Sequence, residues 1–128
     1  MKILLDTNAL IWILDNNKSL GKQSKKLLSD ADLVLASAVN IIELRIKSLL
    51  NKVSISDNLL NDIEHSGIDM LSITATHADE LKRFSNLNRH DPFDRLLLAQ
   101  ASSENIYLMT SDKMLLDYNF NFLINARI

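Results

Sequence analysis

The chain has 128 residues, 47% of them hydrophobic and 23% charged, with a formal net charge of −2. That length fits one domain with its own core, the composition is too apolar for a disordered chain, and the charge offers no bulk attraction for nucleic acid. The absence of cysteine excludes disulfides and thiolate metal sites, and two glycines and one proline leave no Rossmann fingerprint, Walker A loop or Gly-x-Ser-x-Gly elbow.

No apolar run approaches the roughly 20 residues of a membrane span. The start, Met1-Lys2-Ile3-Leu4-Leu5-Asp6, lacks the apolar core and cleavage site of a signal peptide. A cytoplasmic location without a membrane partner is therefore expected.

Ile3-Leu4-Leu5 reads as a buried strand over 2–5, closed by Asp6-Thr7-Asn8 and followed by helix 7–15. In the next helix, 20–30, Lys22, Lys25 and Lys26 share one face by their spacing, either as a solvated surface or as a contact for RNA phosphates. Strand 33–36 leads into helix 38–50. There Glu43 falls at the edge of an apolar stripe of Val39, Ile46 and Leu50, with Asn40 and Lys47 about one turn away on either side. Helix 57–66 stops at Ser66-Gly67, where Gly67 suits the left-handed position past a helix end. Strand 69–72 and helix 75–86 come next. Asp91-Pro92-Phe93-Asp94 then supplies an N-cap, a first-position proline and a first-turn acid for helix 91–104. Strand 106–110 runs into Thr110-Ser111-Asp112 and a short helix from Lys113, and 121–124 reads as a last strand.

Strands alternating with helices predict a single α/β domain over 1–128, with a central parallel sheet of four to five strands and helices on both faces. In such sheets the working crevice lies beyond the carboxyl ends of the strands. Asp6 and Asp112 follow strands directly or nearly so, while Glu43 and Asp94 sit on helices able to border the same crevice. Each acid also has a plain structural reading: Asp6 and Asp112 as N-caps, Asp94 as a first-turn acid, Glu43 as a boundary residue whose head reaches water. Carboxylates beside buried elements are costly unless paired or bound to a cation, so convergence of all four points to a hard divalent ion on oxygen ligands. His65, His77 and His90 show no His-Glu-x-x-His pairing, which leaves the carboxylates to carry the chemistry.

Leu4-Leu5-Asp6-Thr7-Asn8-Ala9-Leu10, Ser37-Ala38-Val39 leading to Glu43, the run from Asp91 to Ala101, and Thr110-Ser111-Asp112 together resemble the PIN-domain family, and within it the VapC-type ribonuclease toxins. The resemblance covers nearly the whole chain, and Asp91-Pro92-Phe93-Asp94-Arg95 is its most specific part. It implies a PIN-like fold and a metal-dependent endoribonuclease acting as the toxin of a type II toxin–antitoxin pair. The implied cofactor is Mg²⁺ or Mn²⁺, as one or two ions; the implied partners are RNA, a cognate VapB-like antitoxin and a second copy in a homodimer. The family's catalytic acids map onto Asp6, Glu43, Asp94 and Asp112, with Asp6, Asp94 and Asp112 as metal ligands. Asn8, Thr110, Asp91 and Arg95 are the neighbours expected to orient those ligands, and Lys22, Lys25, Lys26 and Lys47 the expected RNA contacts. Related toxins often carry His where Asn8 stands. The alternative is a catalytically silent PIN-like module that binds RNA or protein. A metal-dependent phosphatase would share the site chemistry, whereas a receiver-like domain lacks its adjacent acids here. Phe93, Leu97 and Ala101 suit a dimer interface and core packing equally.

Overall fold

Ile3, Leu4 and Leu5 are wholly buried, which places β1 (Lys2–Leu5) in the middle of a sheet covered on both faces. The structure, a computed structural model, describes residues 1–87 and 89–128. Five strands form one sheet in the order β3 (Asp69–Leu71), β2 (Leu33–Ser37), β1, β4 (Tyr107–Thr110), β5 (Leu123–Asn125). Every neighbouring pair is parallel, with Leu4 opposite Leu35 on one side and Leu108 on the other. The chain runs outward from β1 through β2 to β3, then crosses back to β4, so the order reverses at β1. A crevice opens at such a reversal, beyond the carboxyl ends of β1 and β4. This is the α/β domain that the alternating pattern predicts.

Seven α-helices surround the described sheet: α1 (Thr7–Leu14), α2 (Lys22–Asp30), α3 (Ala38–Leu49), α4 (Leu59–His65), α5 (Ala75–Asp79), α6 (Pro92–Glu104) and α7 (Lys113–Leu116). Period-2 alternation divides β1 between two cores. Ile3 and Leu5 pack with Leu10 of α1 and Leu59 and Ile63 of α4. Leu4 and Leu108 pack with Phe84, Leu87 and the α6 residues Leu97 and Leu98. No described helix is long and apolar enough to cross a membrane.

Gly67 has φ +76°, with its N–H on the Glu64 carbonyl at 3.0 Å and the Ile68 N–H on that of Ile63 at 3.3 Å, a glycine-closed helix end. The helix expected over 75–86 stops at Asp79 and continues as a 3₁₀ segment, Glu80–Leu87, broken at Phe84 (φ −116°, ψ 35°). That break lets Phe84 and Leu87 enter the second core, with Phe84 edge-on to Phe120 at 5.5 Å. On α3 only Val39 of the expected apolar stripe is buried; Ile46 and Leu50 are 44% and 60% exposed. Leu97 and Ala101, by contrast, lie wholly inside this chain's own core, and Phe93 packs partly against it.

The segment after β5 returns to α2. Ala126 N–H donates to the Thr110 carbonyl at 2.9 Å, Gly21 N–H to the Ala126 carbonyl at 2.9 Å, and Ser24 N–H to the Ile128 carbonyl at 2.8 Å. A Cβ on Gly21 would overlap the backbone of Ile128. Gly21→Ala should therefore lower stability by about 1–3 kcal/mol. In urea unfolding this appears as a lower midpoint with an unchanged slope; an unchanged midpoint would show that the segment moves away freely.

Candidate active site

Asp6, Thr7, Asn8, Glu43, Lys47, Asp91, Asp94, Ser111, Asp112 and Arg127 line a polar cleft of about 250 Å³. Helix starts bring most of the acids there. Asp6 ends β1 and caps α1, its Oδ1 accepting from Ala9 N–H at 2.7 Å. Asp91 caps α6 through Phe93 N–H at 2.8 Å, which sets Asp94 in the first turn. Asp112 follows β4 and caps α7 through Met114 N–H at 2.9 Å. The capping and cleft readings thus hold together, because the same residue ends a strand, starts a helix and faces the crevice.

Asp6 is nearly buried, and its Oδ2 accepts from the Thr110 hydroxyl at 2.9 Å and Ser111 N–H at 2.7 Å. Burial raises its pKa, and the hydrogen bonds from Ala9, Ser111 and Thr110 work against that rise. Thr110 also accepts from Asp112 N–H at 3.1 Å, so one hydroxyl sets both acids. Asn8 donates to the Ser111 hydroxyl at 3.1 Å.

Asp94 and Asp112 form a coupled pair. Burial first, then the shared hydrogen bond and the negative charge of Asp112, push Asp94 up to about 8. Burial raises Asp112 as well, but its hydrogen bond from Asp94 and those from Leu115 N–H and His90 outweigh it, and its pKa is lowered. Without metal, Asp94 therefore favours its neutral form near pH 7 while Asp112 is the charged member of the pair. His90, 4% exposed in its side chain, lies with Nε2 2.8 Å from Asp112 Oδ2 and 3.8 Å from Asp94 Oδ2. His90 lies just before the Asp91 N-cap of α6, outside the helix, and its place in the sequence carries no signal of this contact.

Glu43 is reached from a different direction. The Thr7 hydroxyl donates to its Oε1 at 2.6 Å and Lys47 Nζ to its Oε2 at 2.6 Å. Thr7 in turn accepts from Asn40 Nδ2 at 3.1 Å, and Asn40 Oδ1 accepts from Ser37 N–H at 2.7 Å. Behind these lies a second buried layer: the Ser37 hydroxyl donates to Gln100 Oε1, and Gln100 Nε2 reaches His77 Nδ1 at 3.2 Å. Since His77 Nδ1 also accepts from Thr74 N–H at 3.1 Å, its ring proton sits on Nε2, 2.8 Å from Glu104. Thr7→Val keeps the shape, strands Glu43 Oε1 and leaves Asn40 Nδ2 only its bond to the Leu5 carbonyl at 3.3 Å. A destabilisation of about 1–3 kcal/mol is expected in urea unfolding, with Thr7→Ser near wild type. Equal loss in both variants would assign the effect to packing instead.

Lys47, expected at the RNA backbone, stands in the cleft, where its hydrogen bond to Glu43 first, and then the charges of Glu43, Asp91 and Asp94, raise its pKa against the effect of burial. Lys22, Lys25 and Lys26 are exposed on α2 and do not line the cleft. Arg95 is absent from the cleft lining, forms no ion pair among the described residues, and has a buried Nε without a hydrogen-bond partner.

Ligand atoms of His90, Asp94 and Asp112 lie within 4.8 Å of one another, with Asp6 across the same cleft. Oxygen donors with a single imidazole fit a divalent cation, whose charge would offset the burial and carboxylate repulsion that raise Asp94. The fold is similar to a chain of the VapBC2 complex from Rickettsia felis bound to a DNA fragment from their promoter, at TM-score 0.70 and 16% identity, with 98% of each chain covered. It is also similar to a toxin–antitoxin complex from Klebsiella pneumoniae, at TM-score 0.65 and 16% identity, with 97% of each chain covered. No curated protein matches the sequence. Residues 3–121 match the PIN domain family, and the chain belongs to that family.

Proposed function

We propose that this PIN domain is a Mg²⁺- or Mn²⁺-dependent endoribonuclease and the toxin of a type II toxin–antitoxin pair, acting in the cytoplasm. The observation that carries the nuclease reading is the convergence of Asp6, Glu43, Asp94 and Asp112 on one cleft at the reversal point of the sheet. The likeness to the two toxin–antitoxin structures supports a VapB-like antitoxin as partner. Ile42, Ile46, Leu49 and Leu50 of α3 and its end are 44–83% exposed, a surface suited to an antitoxin or to a second copy in a homodimer.

Asp94, Asp112 and Asp6 are the oxygen donors for one or two ions, and His90 orients Asp112 through Oδ2. A bound Mg²⁺ or Mn²⁺ supplies polarisation of a phosphate oxygen and activation of the attacking water for in-line displacement. Thr110 and Ser111 fix the Asp6 carboxylate so that its donor direction does not depend on the substrate. Glu43, gripped by Thr7 and Lys47, is placed to hold a water or the entering hydroxyl. Asp91 and Asn8 anchor the helix start and Ser111 around it. Lys22, Lys25 and Lys26 extend positive charge along α2, outside the cleft, for RNA phosphates.

The test is incubation of total RNA with the purified protein in Mg²⁺, Mn²⁺ or EDTA. Discrete fragments that require metal are expected. Intact RNA with folded, antitoxin-free protein under every metal would favour the catalytically silent binding module.

A further inference from the structure

Five acids line the cleft, Asp6, Glu43, Asp91, Asp94 and Asp112, and only two cations, Lys47 and Arg127. A polyanion entering there meets strong repulsion unless a positive group is free to receive it. Lys47 is committed to Glu43 at 2.6 Å. Arg127 shares the cleft lining with these acids but forms no ion pair among the described residues. Its guanidinium carbon instead lies 5.0 Å from the centroid of the Trp12 ring.

That placement is built rather than incidental. Arg127 N–H donates to Asn125 Oδ1 at 2.9 Å, the Ser24 hydroxyl donates to the Asn125 carbonyl at 3.0 Å, and fully buried Ala126 is bonded on both sides to Thr110 and Gly21. The backbone on either side of Arg127 is therefore pinned to the sheet and to the start of α2. An aromatic face holds a guanidinium without neutralising it, leaving its planar fork free for a phosphate. Trp12 also lines a groove of about 370 Å³ whose walls mix apolar side chains such as Ile13 and Leu28 with Asn16, Lys25 and Ser29. Arg127 lines the acidic cleft and Trp12 the groove that holds Lys25, so their contact joins the two.

We infer that Arg127, propped on Trp12, grips a backbone phosphate of the single-stranded RNA next to the bond to be cut and leads the strand from the cleft toward the Trp12–Lys25 groove. This rests on the ribonuclease reading above. Its role is substrate binding, and the bidentate fork is what distinguishes it from a general positive charge.

Binding of a fluorescein-labelled single-stranded RNA is measured by anisotropy across a salt series in the uncleavable Asp94→Asn protein, alone and with Arg127→Ala or Arg127→Lys. Arg127→Ala should weaken binding about tenfold and flatten the salt slope by about 0.7, the loss of one phosphate contact on a single strand. Arg127→Lys should restore the slope but only part of the affinity. In the cleavage-competent protein, Arg127→Ala should raise KM with kcat nearly unchanged, and the Mn²⁺-induced shift in Tm should stay as in wild type. RNA that is bound and cut with the same affinity, slope and KM in Arg127→Ala overturns the inference and leaves the nuclease reading standing. A wild-type protein that neither binds nor cuts RNA overturns both.

Discussion

Asparagine at position 94 should reduce metal-dependent RNA cleavage by about 10³-fold or more, the several kcal/mol that a lost metal-binding carboxylate removes from transition-state stabilisation. The fold should survive, because Asp94 is pushed up to about 8 and is already largely uncharged at pH 7 without metal. An amide imitates that protonated carboxyl in shape and can still donate toward Asp112. The metal-free variant should melt close to wild type near pH 4 and increasingly above it as pH rises toward 8, because only the wild-type unfolded chain gains by releasing a proton that its native state keeps. Cleavage within tenfold of wild type would move the chemistry away from Asp94. A variant that unfolds would show instead that the carboxylate is a structural requirement.

The second large effect is a reversal in how stability responds to pH. Asp94 has a folded pKa of about 8 against an ordinary 3.8, so the native chain holds a proton that the unfolded chain has released. Its contribution to stability is fully present below pH 3.8, declines as pH rises, and is gone above about 8. Between pH 5 and 8 the metal-free protein should therefore lose stability with a slope of at most about 1.4 kcal/mol per unit from this group. Comparison with Asp94→Asn isolates it from the histidines. Asp112 works in the opposite sense, but only as pH falls below the ordinary carboxylate range.

A divalent cation must displace the Asp94 proton, so its affinity rises with pH until that proton is gone. At a hundredfold excess over its dissociation constant the ion should add about 2.7 kcal/mol, which is roughly 10 °C in Tm for a domain of this size. Scanning calorimetry at pH 6, 7 and 8 with and without Mn²⁺ should show the shift growing with pH in wild type and much reduced in Asp94→Asn. A shift that is equal at all three values would mean that the bound ion does not touch the Asp94–Asp112 pair.

The sheet was legible because its central strand is buried on both faces, and an unbroken Ile3-Leu4-Leu5 beside helical stretches has few other meanings. The acids were legible for a related reason: Asp6 and Asp112 punctuate strand ends, and Asp91-Pro92 marks a helix start. What could not be read is whatever depends on chain segments meeting late. His90 becomes part of the cluster only when α7 carries Asp112 to its ring. Arg127 reaches the cleft because Gly21 admits the backbone of Ile128, a fit between segments more than a hundred positions apart. His77 and Gln100 look unremarkable on their helices, yet they complete the buried layer behind Glu43. Helical periodicity also overstated the stripe on α3, since a wheel orders residues around an axis without saying how far the covering layer extends. At Phe84 core packing overrode local helix propensity.

The pairing of β1 with β4 sets the order in which a working enzyme can come into being. Leu5 lies beside Met109, and the Thr110 hydroxyl that holds Asp6 is 104 positions away in sequence. Closing so long a loop is the slow part of folding a parallel sheet. On the ribosome, α1 to α4 and the first three strands emerge with Asp6 and Glu43 but without Asp94, Asp112 or the strand that orients Asp6. An unfinished chain therefore carries no complete acidic cleft. If the proposed ribonuclease reading holds, a nascent chain is harmless to the messages around it until β4 and Asp112 have been added and have paired with β1.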